Sequence, residues 1–196
     1  MIKLFLYKLF YPGIIFGVNP TVQKNCILLK SSTTSDDKTN NTKIGKNCLI
    51  RSGTTIYSGN IFGDNFITGN KVNIRENNRI GSNVSIGTLS IIEHSVKIGN
   101  NVRIHSGAFI PEHTIIKDDA WIGPRVVITN SKYPGRGNSK ELLSGVVISE
   151  KAVIGANVTI LPGIKIGKNA IIGAGSVVTK NVPDDETYAG NPAIKL

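Results

Sequence analysis

The chain predicts an all-β fold, a parallel β-helix of about seven triangular coils with one extruded loop and a short C-terminal cap. From Ile44 to Ile128 every sixth residue is apolar, with Thr68 as the one exception, and the beat resumes two residues out of phase from Ile148 to Val178. Four residues after a beat comes a smaller residue such as Cys48, Thr54, Val72, Val84, Val102, Ala108, Ala120, Val158 or Ala170. It stands two positions before the next beat and so shares the inward face of a strand with it. Three residues after a beat the chain prefers Asn, Gly or Asp, as at Asn47, Gly53, Asn65, Asn83, Asn101, Gly107, Asp119, Asn157, Gly163, Asn169, Gly175 and Asn181. These residues tolerate positive φ and mark corners.

A period of six suits neither a helix nor a hairpin. Three short strands and three corners use 18 residues, so the 21 beats make seven coils stacked about 4.8 Å apart. Each coil leans only on its neighbours, so both ends of the prism need caps.

Along the chain, residues 1–17 form a short apolar segment and residues 18–196 a single β-helix domain. Met1–Phe16 is crowded with apolar and aromatic residues, carries Lys3 and Lys8, and is broken at Pro12 and Gly13. It is too short and interrupted to span a bilayer and has no small-residue cleavage site of a secretory signal. It reads as a short helix packed on the prism or on a neighbouring subunit, with peripheral membrane contact through residues 1–16 as the alternative. Val18–Val22 resembles the opening of an irregular first coil, and residues 30–43 make a polar loop. Residues 130–146 leave the prism at a corner and return to start the next coil, and a long loop on so regular a scaffold usually carries function. From Pro183 the tail abandons the repeat and closes the C-terminal end.

A net charge of +10 points to an anionic partner. The basic residues are scattered along the coils with no aromatic–basic motif, which speaks against nucleic acid. Cys26 and Cys48 have no paired spacing, giving neither a disulfide framework nor a zinc site, in keeping with a cytoplasmic protein.

The stretch IGANVTILPGIKIGKNAIIGAGSVVTKNVPDDETYAGNPA (154–193), above all IGAGSVVTK and AGNPA, resembles the acyl-CoA-binding end of the hexapeptide-repeat acyltransferases. That resemblance implies a left-handed prism, an exception to the usual right-handed crossover. It also implies an acetyl-CoA co-substrate and a homotrimer with active sites between subunits. The stretch KIGNNVRIHSGAFIPEHTIIKDDAWIGPRVVITN (97–130), followed by a proline-containing loop, is similar to the N-acetyltransferases of nucleotide-linked (UDP- or dTDP-) 3-amino sugars, which serve surface glycan and lipopolysaccharide biosynthesis. Sugar O-acetyltransferases of this superfamily carry a catalytic histidine in the loop at this point. Residues 130–146 contain none, which favours an amine over a hydroxyl acceptor and leaves glycan O-acetylation as the alternative. An amine needs less help from a base, because its neutral form is already a good nucleophile.

Three histidines are available as bases. His105 follows a beat and points outward between Gly87 and Gly123, each 18 residues away, where a bare wall leaves room for substrate or for a subunit contact. His94, Glu112 and Asn130 are also 18 apart and stack in one column at the root of the loop, where the carboxylate can orient the imidazole or serve only as a solvated ion pair. Asn130 heads the loop, within reach of an acceptor sugar or thioester oxygen. His113 sits at a corner as a turn residue, and His105 and His113 fall on different faces, so no metal is expected. The resemblance places pantetheine along Gly155, Ala156, Gly173, Ala174 and Gly175, and the nucleotide phosphates near Lys180, although tight corners want small residues in any case. On the loop, Lys132, Tyr133, Arg136 and Lys140 are positioned to meet a nucleotide-sugar diphosphate. A non-catalytic spacer is the competing reading from a different class.

Overall fold

The computed structural model describes residues 11, 13–30, 41–137 and 142–196. Its three parallel sheets form the faces of a triangular prism, and successive strands visit them in turn. Within the regular stretch, partners are 18 residues apart, as in Arg79↔Lys97, Ser85↔Arg103 and Ile91↔Phe109. The beat residues form the core: Ile50, Ile56, Ile74, Ile92, Ile110, Ile122, Ile128, Ile148, Ile154, Ile160 and Ile166 are fully buried. The inward residues two positions before a beat are buried as well, and they include positions that depart from the small apolar pattern, Asn60, Phe66, Asn78, Ser90 and Thr114.

Each face has its own chemistry, because only the first residue of a two-residue strand points outward. The first face contains Lys43, Ile61, Arg79, Lys97, Ile115, Val147 and Lys165. The second carries Leu49, Ile67, Ser85, Arg103, Trp121, Val153 and Ile171. The third presents Asn73, Ile91, Phe109, Val127, Thr159 and Val177.

The corner prediction holds at every position it named except Asn181. Asn47, Asn65, Asn83, Asn101, Asp119, Asn157 and Asn169 all adopt left-handed backbone, and so do the less obvious Lys71, Leu89, Ser95, His113, Arg125 and Lys151. At one corner the amides add a ladder, with Asn47 donating to Asn65, Asn65 to Asn83, Asn83 to Asn101 and Asn101 to Asp119 at 2.7–3.1 Å. Asn181 lies where the repeat ends, and its side-chain oxygen accepts from the Lys165 amide instead.

The described residues form eight coils, one more than the unbroken beat predicts. Ile14–Phe16, Thr21–Val22 and Ile27–Lys30 form the first, pairing in parallel with Thr42–Ile44, Leu49–Ile50 and Thr55–Tyr57. Phe16, Val22 and Leu28 keep the six-residue spacing, but Phe16 pairs with Ile44 across 28 residues, so the insertion hides the coil from a strict periodicity. The prism therefore begins inside the segment set apart as residues 1–17. Ile14 and Phe16 alternate inward around an exposed Ile15, so this end of the segment is strand and not helix. The remaining N-terminal expectations, for residues 1–10 and 12, lie outside the described residues, as do the loop at 31–40 and Lys140. Among the described residues no helix is long and apolar enough to cross a membrane.

At the far end Thr187–Gly190 stacks on Ile171–Ile172, and Ala193–Lys195 returns antiparallel to it, closing the prism as the tail predicts. The extruded loop leaves after Val127–Ile128 and rejoins at Val147–Ile148, and its ends are tied by the Ser144 amide donating to the Asn130 carbonyl at 2.8 Å.

Candidate active site

The stacking places the candidate residues at two corners flanking the third face. His105 follows the strand Arg103–Ile104 at the corner between the second and third faces. The Gly87 amide donates to Ile104 and the His105 amide to Ile122, so glycines lie one coil before and after it as the spacing predicts. Beyond Gly123 the same column continues through Gly155 and Gly173, with Ala156, Ala174 and Gly175 beside it. His105 thus stands at one end of the small-residue track that the sequence singles out for the acyl donor.

Two glycines explain the track physically. A Cβ on Gly155 would lie 2.5 Å from the Ala174 nitrogen, so coil stacking alone demands glycine there. Gly175 has φ of +73°, and no heavy atom of the described residues beyond its chain neighbours lies within 4 Å of where its Cβ would be.

The His105 ring packs on the Trp121 indole at 4.5 Å between centroids, because Trp121 occupies the outward position paired with Arg103. Its Nε2 is buried and has no hydrogen-bond partner among the described residues. Burial, and secondly the Arg103 guanidinium, hold the imidazole below its ordinary pKa. A neutral ring with a buried, unpartnered nitrogen is equipped to accept or relay a proton. Trp121 was not among the sequence candidates. An outward aromatic carries no periodic signal, and only the pairing of adjacent coils reveals its role.

His94, Glu112 and Asn130 assemble as their spacing predicts, at the corner between the third and first faces. The Asn130 amide donates to Glu112 Oε2 at 2.6 Å, and Glu112 Oε1 lies 3.7 Å from His94 Nε2. His94 Nδ1 also meets Ser95 Oγ at 3.2 Å, so both ring nitrogens are engaged. The His113 ring is edge-on to that of His94 at 5.9 Å, and its φ of 64° bears out the turn role. One coil earlier, Arg75 grips Glu76 with two bonds of 2.9 and 3.0 Å and reaches Glu93 at 3.5 Å, packing over Tyr57. Burial pushes the Glu93 carboxyl up, opposed by Arg75. Through Asn130, these contacts tie the column to the root of the loop.

Lys180 lies in the column of Asn130, two coils further on, and not beside Gly155 and Gly173. On the loop, Lys132 and Arg136 flank the exposed Tyr133 ring, with Nζ at 5.5 Å and Cζ at 4.4 Å from its centroid. Neither forms an ion pair with a carboxylate among the described residues. The described residues hold no cluster of three metal-ligating side chains. Within one chain, then, His105 and the glycine track share one corner, and His94, Glu112, Asn130, the loop and Lys180 share the other.

The sequence model described as bacterial transferase hexapeptide (six repeats) matches residues 79–112 and 145–180. Among solved structures, the polySia-specific acetyltransferase NeuO is 22% identical over 94% of this chain and 86% of its own, with a TM-score of 0.57. The acetyltransferase domain of PglB from Neisseria gonorrhoeae, solved with acetyl coenzyme A, is 15% identical over 94% of this chain and 58% of its own, with a TM-score of 0.46. PerB from Caulobacter crescentus, solved with CoA and GDP-perosamine, is 17% identical over 92% of this chain and 58% of its own, with a TM-score of 0.40. Repeat, coil stacking and fold agree: the chain folds as a left-handed parallel β-helix, and two stretches of it match the bacterial transferase hexapeptide repeat.

Proposed function

We propose that the protein transfers the acetyl group of acetyl-CoA to an amino group of a nucleotide-linked (UDP- or dTDP-) amino sugar, in the cytoplasm, for surface glycan or lipopolysaccharide biosynthesis. The observation that carries the reading is His105: a buried imidazole nitrogen, without a hydrogen-bond partner among the described residues, at the end of the small-residue track. Pantetheine lies along Gly155, Ala156, Gly173, Ala174 and Gly175. The amine nitrogen attacks the thioester carbonyl, a backbone N–H polarises the forming oxyanion, and His105 Nε2 or an acceptor-bound water takes the proton the nitrogen sheds. As the C–S bond breaks, that proton passes to the departing thiolate.

The active form in this reading is a homotrimer with sites between subunits. Two features support it. The two candidate corners are separated by a face within one chain, and a neighbouring copy can bring them together. That face also exposes Ile91 and Val127, 38% and 40% accessible, on either side of Phe109. Lys132, Tyr133 and Arg136 then meet the diphosphate across the cleft, with Asn130 on the sugar and Lys180 near the nucleotide of CoA. Sedimentation showing a fully active monomer overturns this arrangement.

The same histidine favours a second reading, O-acetylation of a sugar or glycan, since an alcohol needs the base that His105 can be. CoA-thiol release from acetyl-CoA decides between them, measured with matched UDP- and dTDP-sugars bearing an amine or a hydroxyl at the same carbon. Turnover confined to the amines is the expected result. Turnover of the hydroxyl sugars transfers the assignment to O-acetylation, and failure to bind acetyl-CoA by calorimetry overturns both.

A further inference from the structure

On the other side of His105 from the glycine track lies a cavity of about 230 Å³ whose two arginines the sequence analysis does not single out. It runs along the second face toward the N-terminal end, past Gly87 and Gly69 to Arg51, and Arg103, Ser85 and Ser106 also line it. Arg51 is separated from His105 by 54 residues, which is three coils, or about 14 Å along the prism axis. The glycines between them leave the wall bare, so the two arginines and the histidine share one open trough.

Its charge is one-sided. No carboxylate lines it, and neither arginine forms an ion pair with one among the described residues. The cavity on the first face contrasts with it: there Arg79, Lys97 and Lys117 share the lining with Asp118 and Glu150, and Lys117 pairs with Glu150 at 3.2 Å. Arg51 is also partly fixed, its Nη1 donating to the Thr68 carbonyl at 3.3 Å. A held guanidinium loses less freedom when it binds a planar or tetrahedral oxyanion. His105 lines the same cavity, and its Nε2, buried beside it, has no hydrogen-bond partner among the described residues.

We propose that this trough is the acceptor subsite and that the acceptor is an acidic sugar, its carboxylate or phosphate oxygens held by Arg51 and Arg103 while the group to be acetylated lies at His105. The assignment rests on the acetyl-transfer reading of His105. It sets donor and acceptor on opposite sides of that residue, the donor on the C-terminal glycines and the acceptor among the arginines. It also gives part of the +10 charge a use.

Trp121 is the single tryptophan of the chain and stacks on His105, so its fluorescence reports on this site without any turnover. The full-length protein is titrated with glucuronate, inorganic phosphate and glucose. The expected result is a saturable change with glucuronate, phosphate or both, and none with glucose. A response to glucuronate alone identifies a uronate-type acid, and a response to phosphate alone identifies a sugar phosphate. R51Q and R103Q should each weaken binding by about tenfold or more, with R103K intermediate because it keeps the charge and loses the fork. Equal responses to glucose and glucuronate, no response to either anion, or undiminished affinity in folded R51Q and R103Q overturns the proposal. Calorimetry of acetyl-CoA on the same samples tests the donor reading separately, so either can fail alone.

Discussion

Replacing Ile122 by alanine tests whether the isoleucine stack holds the site in place. Ile122 is fully buried, pairs with Ile104 and Ile154 on adjacent coils, and lies between Trp121 and Gly123 on the strand that backs His105. The substitution removes three carbons, a transfer loss of about 2.4 kcal/mol at ~0.8 kcal/mol per group. A cavity penalty adds to this, because neighbouring coils are fixed at about 4.8 Å by backbone hydrogen bonds and cannot close on the gap. The expected cost is about 3–4 kcal/mol, inside the ~2–5 kcal/mol span of buried Ile→Ala changes. For a chain of this size that lowers Tm by roughly 6–16 °C, at ~2–4 °C per kcal/mol. Urea denaturation followed in parallel by Trp121 fluorescence and circular dichroism measures it, with Ile122→Val as the mild control at about 0.5–1.5 kcal/mol. A loss below about 1 kcal/mol with coincident transitions would mean that the coils relax into the cavity, and would refute the rigid-stack argument on which the site geometry depends.

Four further outcomes are expected. Because burial and Arg103 hold the His105 pKa down, its neutral form persists through pH 7, and kcat/KM should fall only as pH drops through that lowered value. In R103Q the acidic limb should move to higher pH, and an unmoved limb would separate Arg103 from His105. His105→Gln should lower kcat by about 10²–10⁴ with a hydroxyl acceptor and by clearly less with an amine, and equal losses would make its role structural. Glu112→Gln weakens the charge-assisted anchor of Asn130, so limited proteolysis within residues 130–146 should speed up by several-fold while Tm moves by only a few degrees. Gly155→Ala, which thrusts a methyl to 2.5 Å from the Ala174 nitrogen, should cost more than about 2 kcal/mol or prevent folding, whereas Gly137→Ala, with none of the described residues beyond its chain neighbours within 4 Å, should be neutral within about 0.5 kcal/mol.

Much of the prism is legible in one dimension, because a six-residue period is a local property that strand alternation turns into a buried stripe. The 18-residue spacing then predicts which residues stack, and it places His94, Glu112 and Asn130 correctly in one column. The first coil escapes the same rule because an insertion separates Phe16 from its partner Ile44 and breaks the phase. Arg51 and Arg103 were not singled out either, since a cation at an outward position looks alike in every coil.

The sequence by itself determined the β-helix, its inward faces, its corners and the point where the loop leaves, since each depends only on a residue's phase within its own hexapeptide. Only the tertiary structure decided that His105 and Trp121 meet, that one nitrogen of that histidine is buried without a partner among the described residues, and that Arg51 and His105 line one cavity. It also set the two groups of candidate residues at different corners. The reason is geometric: winding the chain compresses 18 residues of sequence into about 4.8 Å along the axis, so neighbours on the outer wall come from distant hexapeptides whose outward side chains no period constrains.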